Sequence, residues 1–209
     1  LKYPKWIPGE HGPSGTVFDV VNIDITQHGH KLVWSHDPLD LFTIRIHAEH
    51  GPVTVKFDYL APRHGLGSRL LSRVKWNRLV MLPPSNASTL IEPSLQVPHG
   101  WHVATALDFD GNGKLETTTA ERLIDSPAVI GKYYKRYRID TPGTPPAALD
   151  VFTDKPADLE QSIVEAHKRL YAQAITFFGA PHFRHYQFLL TFSDHGGGEG
   201  LEHNECSED

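Results

Sequence analysis

The chain has 209 residues, of which 39% are hydrophobic and 10% are aromatic, so it can bury a core and is not expected to be disordered. Its formal net charge is −5 and it has no basic block, which disfavours a nucleic-acid binder, because such proteins gain most of their affinity from neutralised phosphates. The single cysteine, Cys206, excludes an internal disulfide. No apolar run reaches the ~18 residues needed to span a bilayer.

The first two thirds of the chain show the alternating apolar and polar pattern of half-buried strands. The predicted strands are, in chain order, residues 17–25, 41–46, 53–59, 77–82, 102–109 and 130–139. The chain also contains 16 prolines and 17 glycines, which favour many turns between short strands. We therefore expect a β-sandwich-like domain over residues 1–141.

A domain boundary is predicted at residues 141–146, Thr-Pro-Gly-Thr-Pro-Pro, because the prolines favour extended backbone and break helices. Beyond it, apolar residues recur at steps of three and four, which predicts a helix. Its apolar face would consist of Leu159, Ile163, Ala166, Leu170, Ala174 and Phe177. Pro156 suits the first turn of this helix, and Asp154 and Asp158 would complement its dipole. Gly179 is placed to end it.

A buried strand is predicted over residues 186–192, Tyr-Gln-Phe-Leu-Leu-Thr-Phe, and it runs into the glycine-rich segment 193–200. Glycines at this place allow another backbone, of a ligand or of a neighbouring loop, to approach closely. The sequence starts at Leu1 rather than Met and stops at Asp209 without a helix terminus. From this we expect a processed or truncated chain.

Two stretches carry a likeness to a known family. The first is residues 3–15, Tyr-Pro-Lys-Trp-Ile-Pro-Gly-Glu-His-Gly-Pro-Ser-Gly, supported by Trp76-Asn77 and Pro98-His99-Gly100-Trp101. The second is Gly200-Leu201-Glu202-His203, with the predicted strand before it. Together they resemble the bacterial branch of the glycyl aminopeptidase family of PDZ-containing zinc metallopeptidases. The resemblance implies a mainly β chain, with an amino-terminal β-domain over 1–141 and the truncated α+β start of a thermolysin-like catalytic domain over 147–209.

The same resemblance implies a role for the second stretch, which is similar to the Gly-Ala-Met-Glu-Asn exopeptidase loop of related zinc aminopeptidases. By that likeness Glu202 would bind the free α-amine of a peptide substrate through a charge-assisted hydrogen bond. Gly200 would let the substrate backbone lie against an edge strand, and Leu201 belongs to the same substrate-binding segment. His203 would orient either the substrate or Glu202.

The zinc-binding His-Glu-x-x-His helix of that family is not found in this sequence. His182-Phe183-Arg184-His185 has the histidines too close together, lacks the glutamate and precedes a strand. By the resemblance, the zinc motif and then the PDZ domain would follow Asp209 in a longer parent protein. We therefore assign no catalytic residue and no metal ligand here, and expect these 209 residues alone to be inactive.

The resemblance further implies the activity and partners of that parent protein. Zinc would activate a water that removes amino-terminal residues, glycine or alanine being preferred, from peptides with free amino termini. The present chain would contact the missing remainder of its catalytic domain. The expected location is the bacterial periplasm or the exterior.

Two other interpretations stay open. A non-catalytic, β-rich peptide-binding module would keep the peptidase-like surface without a zinc motif. A calcium-stabilised secreted domain would use Asp108, Asp110 and Asn112, which resemble the start of a calcium loop, although its twelfth position is Thr119 rather than glutamate. A hairpin turn explains this Gly-Asn-Gly segment better.

Overall fold

The computed structural model describes residues 1–61, 67–84, 89–110, 112–195 and 200–209. The strands in these ranges are β1 Val20–Gln27, β2 His30–Lys31, β3 Trp34–His36, β4 Ile44–Ile46, β5 Thr54–Tyr59, β6 Leu71–Val74, β7 Leu90–Ile91, β8 His102–Thr105, β9 Thr118–Thr119, β10 Ala128–Gly131, β11 Tyr133–Arg138, β12 Ala147–Thr153, β13 Tyr186–Phe192, β14 Leu201–Glu202 and β15 Cys206–Glu208. The α-helices are α1 Ala120–Ile124 and α2 Gln161–Phe178, and 3-10 turns cover Val17–Asp19 and Trp76–Arg78. The chain is thus mainly β, as predicted. Neither α-helix is long and apolar enough to cross a membrane.

The chain divides into two compact units, residues 1–62 with 75–89 and residues 63–74 with 90–209. In the first unit β1 pairs antiparallel with β2 and β5, and β3 pairs with β4. The prediction of a strand over 53–59 is confirmed, but that over 77–82 is wrong, because a 3-10 turn and an isolated bridge at Leu82 occupy this segment. Trp76 and Asn77, both buried, lie in this 3-10 turn.

The second unit contains the sheet β6-β10-β8, the short pair β7-β9 and a five-stranded sheet in the order β11-β12-β13-β15-β14. Strand β12 is parallel to β13, and β13 is parallel to β15, while both outer strands are antiparallel to their neighbours. The single strand predicted over 130–139 is divided into β10 and β11 at Lys132. At the end of β10, Gly131 allows Phe152 to approach closely, since an added Cβ would lie 2.8 Å from that ring.

All seven residues of β12 are buried because the five-stranded sheet is covered on both faces. One face carries Phe152, Leu189 and Cys206, which pack with residues of β6, β8 and β10. The other carries Leu149, Val151 and Leu190, which pack with Val164 and Tyr171 of α2. The helix thus lies between parallel strands, the usual crossover connection.

Helix α2 is confirmed, and Gly179 ends it with a φ of 78° and an N–H bonded to the carbonyl of Ile175. Its predicted beginning is wrong. The helix starts at Gln161, so Pro156, Asp154 and Asp158 all precede it. Asp154 instead accepts a 2.5 Å hydrogen bond from Ser193, and Asp158 accepts one from Tyr137 at 3.1 Å.

The predicted apolar face of α2 is also wrong. Ile163, Leu170 and Phe177 are 38%, 55% and 82% exposed, whereas Val164 and Tyr171 face the sheet. The helix is apolar at adjacent positions, 163–164 and 170–171, so the three- and four-residue period fits two faces and does not decide between them. One of those faces stays open in the described chain.

Residues 141–146, the predicted domain linker, connect two paired strands of one sheet. Beyond the β11–β12 ladder, the N–H of Ile139 bonds to the carbonyl of Ala147 at 2.9 Å, and that of Thr144 bonds to Thr141 at 3.1 Å. The whole segment lies inside the second compact unit. The division into an amino-terminal β-domain at 1–141 and the beginning of a catalytic domain at 147–209 stays a prediction.

Candidate functional site

The segment predicted to bind substrate lies at one edge of the five-stranded sheet. Strand β14 pairs antiparallel with β15 on one side, with Leu201 opposite Glu208 and Glu202 opposite Ser207. On its other side, β14 has no partner strand among the described residues. We call β14, the turn of residues 203–205 and β15 the edge hairpin. An unpaired edge of this kind can accept an extended peptide as an additional strand.

The carboxylate of Glu202 stands exposed on this edge strand. None of the residues that the structure describes forms a hydrogen bond or ion pair with it. Leu201 beside it is half-buried, and a Cβ added at Gly200 would meet no atom within 4 Å. The approach to the backbone at Gly200 is therefore open on the described side. Residues 196–199 of the preceding glycine-rich segment, which include Glu199, lie outside the described residues.

The imidazole of His203 is buried and held by two carboxylates. Its side chain is 2% exposed, with Nδ1 3.0 Å from Asp125 Oδ1 and Nε2 3.3 Å from Glu208 Oε2. Burial lowers the pKa of His203, but the hydrogen bonds and charges of the two carboxylates have a larger effect in the opposite direction. The pKa is therefore raised to about 9. Both ring nitrogens thus carry protons at neutral pH and both are engaged. His203 can therefore act on a substrate only indirectly, through the strand that precedes it.

The turn of the edge hairpin is bound to α1 and its C-terminal end. The Asn204 N–H donates to Asp125 Oδ2 at 2.9 Å, so that Asp125 binds two successive residues of the turn. The third, Glu205, accepts a 2.7 Å hydrogen bond from Arg122 Nη2. The N–H of His203 closes the turn on the carbonyl of Cys206 at 2.9 Å. These contacts fix the hairpin at its tip.

Glu205 belongs to a larger ionic network with Glu116, Arg122 and Arg184. Arg122 contacts Glu116 at 2.8 Å, and Arg184 contacts Glu116 at 3.1 Å and Glu205 at 3.3 Å. Burial raises the pKa of Glu205, but the hydrogen bonds from the two arginines lower it more, to about 2. Glu205 is thus ionised at neutral pH and serves as a structural anion.

Strand β15 supports the hairpin from the inside of the sheet. Cys206 and Glu208 are both fully buried, and burial raises the pKa of the Cys206 thiol well above its usual value. The thiol is therefore neutral, which makes it a core residue rather than a nucleophile or metal ligand. Within the described ranges, no group of three or more His, Cys, Asp and Glu side chains is placed to hold a metal ion.

The proposed start of a calcium loop is a turn. Asp110 Oδ1 accepts hydrogen bonds from the N–H groups of Asn112 at 2.7 Å and Lys114 at 3.1 Å, and Phe109 bridges to Leu115. This confirms the prediction of a hairpin turn, although Gly111 lies outside the described residues. One of the two carboxylate oxygens of Asp110 is thus used by backbone donors.

The anchors of the candidate site were not found from the sequence. Asp125 and Arg122 lie 78 and 83 positions from their partners in the turn. Nothing in the local sequence marks such a pairing, since an aspartate after a short helix has many ordinary uses. An aspartate at the end of α1 therefore does not predict a contact with a histidine 78 positions away.

Comparisons with known proteins agree with this arrangement at the level of family and fold. Residues 1–132 match the family model of the Peptidase M61 N-terminal domain. No curated protein sequence matches the chain significantly. The structure is similar to an aminopeptidase N family protein from Idiomarina loihiensis, with a TM-score of 0.84 and 19% identity, covering 100% of this chain and 36% of that one.

Two further solved structures are similar over a large part of the chain. An M1 zinc metallopeptidase from Deinococcus radiodurans has a TM-score of 0.50 and 12% identity, covering 90% of this chain and 50% of that one. A variant of the Deinococcus radiodurans M1 zinc metallopeptidase bound to a Tyr-Ser-Ala substrate has a TM-score of 0.50, 14% identity and the same coverages. At these identities the likeness shows the fold alone. The chain spans between 36% and 50% of the length of these structures.

Proposed function

Because this chain belongs to the Peptidase M61 family through its N-terminal domain, we propose that it is the front part of a zinc-dependent aminopeptidase and supplies the site for the substrate's amino terminus. The family match covers residues 1–132, and the proposed site lies beyond it, in the second half of the five-stranded sheet. The fold of the whole chain is similar to that of an aminopeptidase N family protein, which supports the same assignment.

The observation that carries the proposal is the free carboxylate of Glu202 on an open edge strand. An aminopeptidase has to recognise a terminal ammonium group, and an ammonium–carboxylate hydrogen bond is worth about 1.5–3 kcal/mol. That free energy is enough to favour a free amino terminus over a blocked one by roughly tenfold or more. Glu202 has no competing partner among the described residues.

The substrate backbone would lie along β14 as a further strand. Backbone hydrogen bonds to Leu201 would set the register of the peptide, and the open approach at Gly200 would leave room for it. The first residue of the peptide would then reach Glu202 with its α-amine. His203 would hold Glu202 in position from below the strand.

The remainder of the catalytic domain would cover the open face of α2. Phe177 and Phe178 are 82% and 76% exposed and stack edge to face, and Leu170 lies on the same helix. Contiguous exposed apolar side chains of this size mark an interaction surface. The similar solved structures are longer than this chain, since the matched part makes up only 36% and 50% of them, which supports an intramolecular partner.

The described residues include no group of side chains placed to bind a metal ion, so they do not form a zinc site. Zinc would therefore be held by residues outside them. In such enzymes the metal activates the attacking water. Accordingly, we assign only binding and positioning roles to the residues of this chain. The preference for glycine or alanine, a PDZ domain in the parent protein and a periplasmic or secreted location remain parts of the proposal that rest on the sequence resemblance.

The test is the release of glycine from a chromogenic glycyl substrate by the parent protein. We expect Glu202→Gln, which keeps the shape and removes the charge, to raise KM at least tenfold, in line with the lost charge-assisted bond. Glu92→Gln, also an exposed glutamate, serves as the matched control and should leave KM unchanged. An amino-blocked substrate should not be cleaved.

The outcomes separate the candidate functions. Full activity of Glu202→Gln, or cleavage of the blocked substrate, would remove Glu202 from the amine site. No activity, together with saturable binding of a free-amine peptide that depends on Glu202, would favour the non-catalytic peptide-binding module instead.

A further inference from the structure

The edge hairpin is anchored by a residue far from it in sequence. Asp125 follows α1, and its two carboxylate oxygens accept from His203 Nδ1 at 3.0 Å and from the Asn204 N–H at 2.9 Å. His203 and Asn204 directly follow Glu202, the last residue of β14. One side chain therefore fixes both the imidazole and the backbone at the point where the edge strand ends.

Strand β14 has little else to hold it. It is two residues long and pairs with β15 on one side only. Short, singly paired strands fray readily, because few backbone hydrogen bonds oppose their opening. A carboxylate carried on such a strand would sample many positions unless the adjoining turn were fixed.

The imidazole of His203 connects the anchor to the sheet. Asp125 binds it from the end of α1, and Glu208 binds it from β15. Since a protonated imidazole donates from both nitrogens, the ring is held at two points and cannot rotate about its Cβ bond without losing a charge-assisted hydrogen bond. The backbone of residue 203, and with it the direction of the Glu202 side chain, is thereby set.

We propose that Asp125 is a positioning residue for the substrate's amino terminus, acting on Glu202 through His203 and Asn204. This inference rests on the proposed function of Glu202. Asp125 belongs to the segment that matches the M61 N-terminal domain, whereas Glu202 lies outside it. The amine site is therefore completed by the amino-terminal part of the chain.

A double-mutant cycle on the parent protein tests this proposal. The variants are Asp125→Asn, Glu202→Gln and the double variant, and the measured quantities are KM and kcat for a free-amine glycyl substrate. We expect Asp125→Asn to raise KM roughly tenfold with a much smaller change in kcat, because a small displacement of a binding group weakens substrate binding. In the Glu202→Gln background the same change should alter KM by less than about twofold, because the group being positioned is already lost.

Asp140→Asn is the matched control. Asp140 also accepts from a cationic side chain, Arg138 at 2.7 Å, and from a backbone N–H, Ala147 at 3.3 Å, but it lies in the loop between β11 and β12. Its substitution should leave KM unchanged. If Asp125→Asn does not fold, the same cycle with Asp125→Glu, which keeps the charge and moves the carboxylate, takes its place.

A role of Asp125 in stability alone would lower the apparent kcat through the loss of folded enzyme and leave KM unchanged. That result would overturn the inference, as would a KM raised by the same factor in both backgrounds. Failure of the proposed function looks different, because Glu202→Gln would then have the KM of the unmodified protein. A KM raised by Glu202→Gln but not by Asp125→Asn would overturn the positioning role and leave the amine site intact.

Discussion

Raising the pH should weaken the fold through the side chain of His203. The pKa of His203 is about 9 in the folded chain, against 6.5 for an ordinary histidine. Because the folded-state pKa is the higher one, the resulting stabilisation is fully present below pH 6.5 and is lost as the pH rises through 9. A difference of this size corresponds to about 3 kcal/mol of unfolding free energy at pH 6 and to almost none at pH 10.

Two measurements check this expectation. NMR titration of the His203 ring should give a midpoint near pH 9. Urea unfolding at several pH values between pH 6 and pH 10 should show the unfolding free energy falling across this range. In Asp125→Asn, which removes one of the two carboxylates, the midpoint should fall and the loss over this window should shrink. A ring midpoint near 6.5 in the unmodified chain, or an unfolding free energy constant to within about 1 kcal/mol, would refute the reasoning.

Three further predictions concern the rest of the second unit. Glu205→Gln breaks the ion pairs with two arginines and should lower the unfolding free energy, measured in urea at pH 7, by roughly 2 kcal/mol. The difference between the two proteins should fade as the pH falls toward 2, because the folded-state pKa of this carboxyl is depressed and its charge is lost there. Val164→Ala should lower the unfolding free energy by about 1–3 kcal/mol because this side chain of α2 is buried against the sheet. Phe177→Ser in the 209-residue chain should change it by less than about 0.5 kcal/mol, since Phe177 is exposed; equal effects would contradict the assigned face. Calcium and chelator should leave the melting temperature unchanged, since Asp110 is already bonded to backbone N–H groups, and a rise with calcium would restore the calcium hypothesis.

The sequence predicts elements where a local pattern is unambiguous. The β-branched run that forms β5 and the apolar run that forms β13 are found within a residue or so of their predicted bounds. Helix α2 is predicted in kind, and Gly179 correctly marks its end because a residue there has to adopt a positive φ. Local signals fail at its beginning, since Asp154 and Asp158 bond to other segments rather than to the helix.

The candidate site divides in the same way. Glu202 is identified through a four-residue motif, and the structure places it on an exposed edge strand, where its role stays a proposal. Asp125 and Arg122 are set by tertiary packing, which no local pattern encodes. The face of α2 is decided by the sheet beneath it rather than by the helix period, so Ile163 and Val164 cannot be told apart from sequence.

Cys206 gives this protein a chemical reporter of its own. It is the single cysteine of the chain, it lies at the start of β15, and none of its surface is exposed. A thiol-specific reagent can modify it only after the packing around β15 has opened, so the rate of alkylation under native conditions measures how often this strand becomes accessible. The rate can be followed by mass spectrometry without any engineered label, and a bound peptide that adds a strand at β14 should slow it.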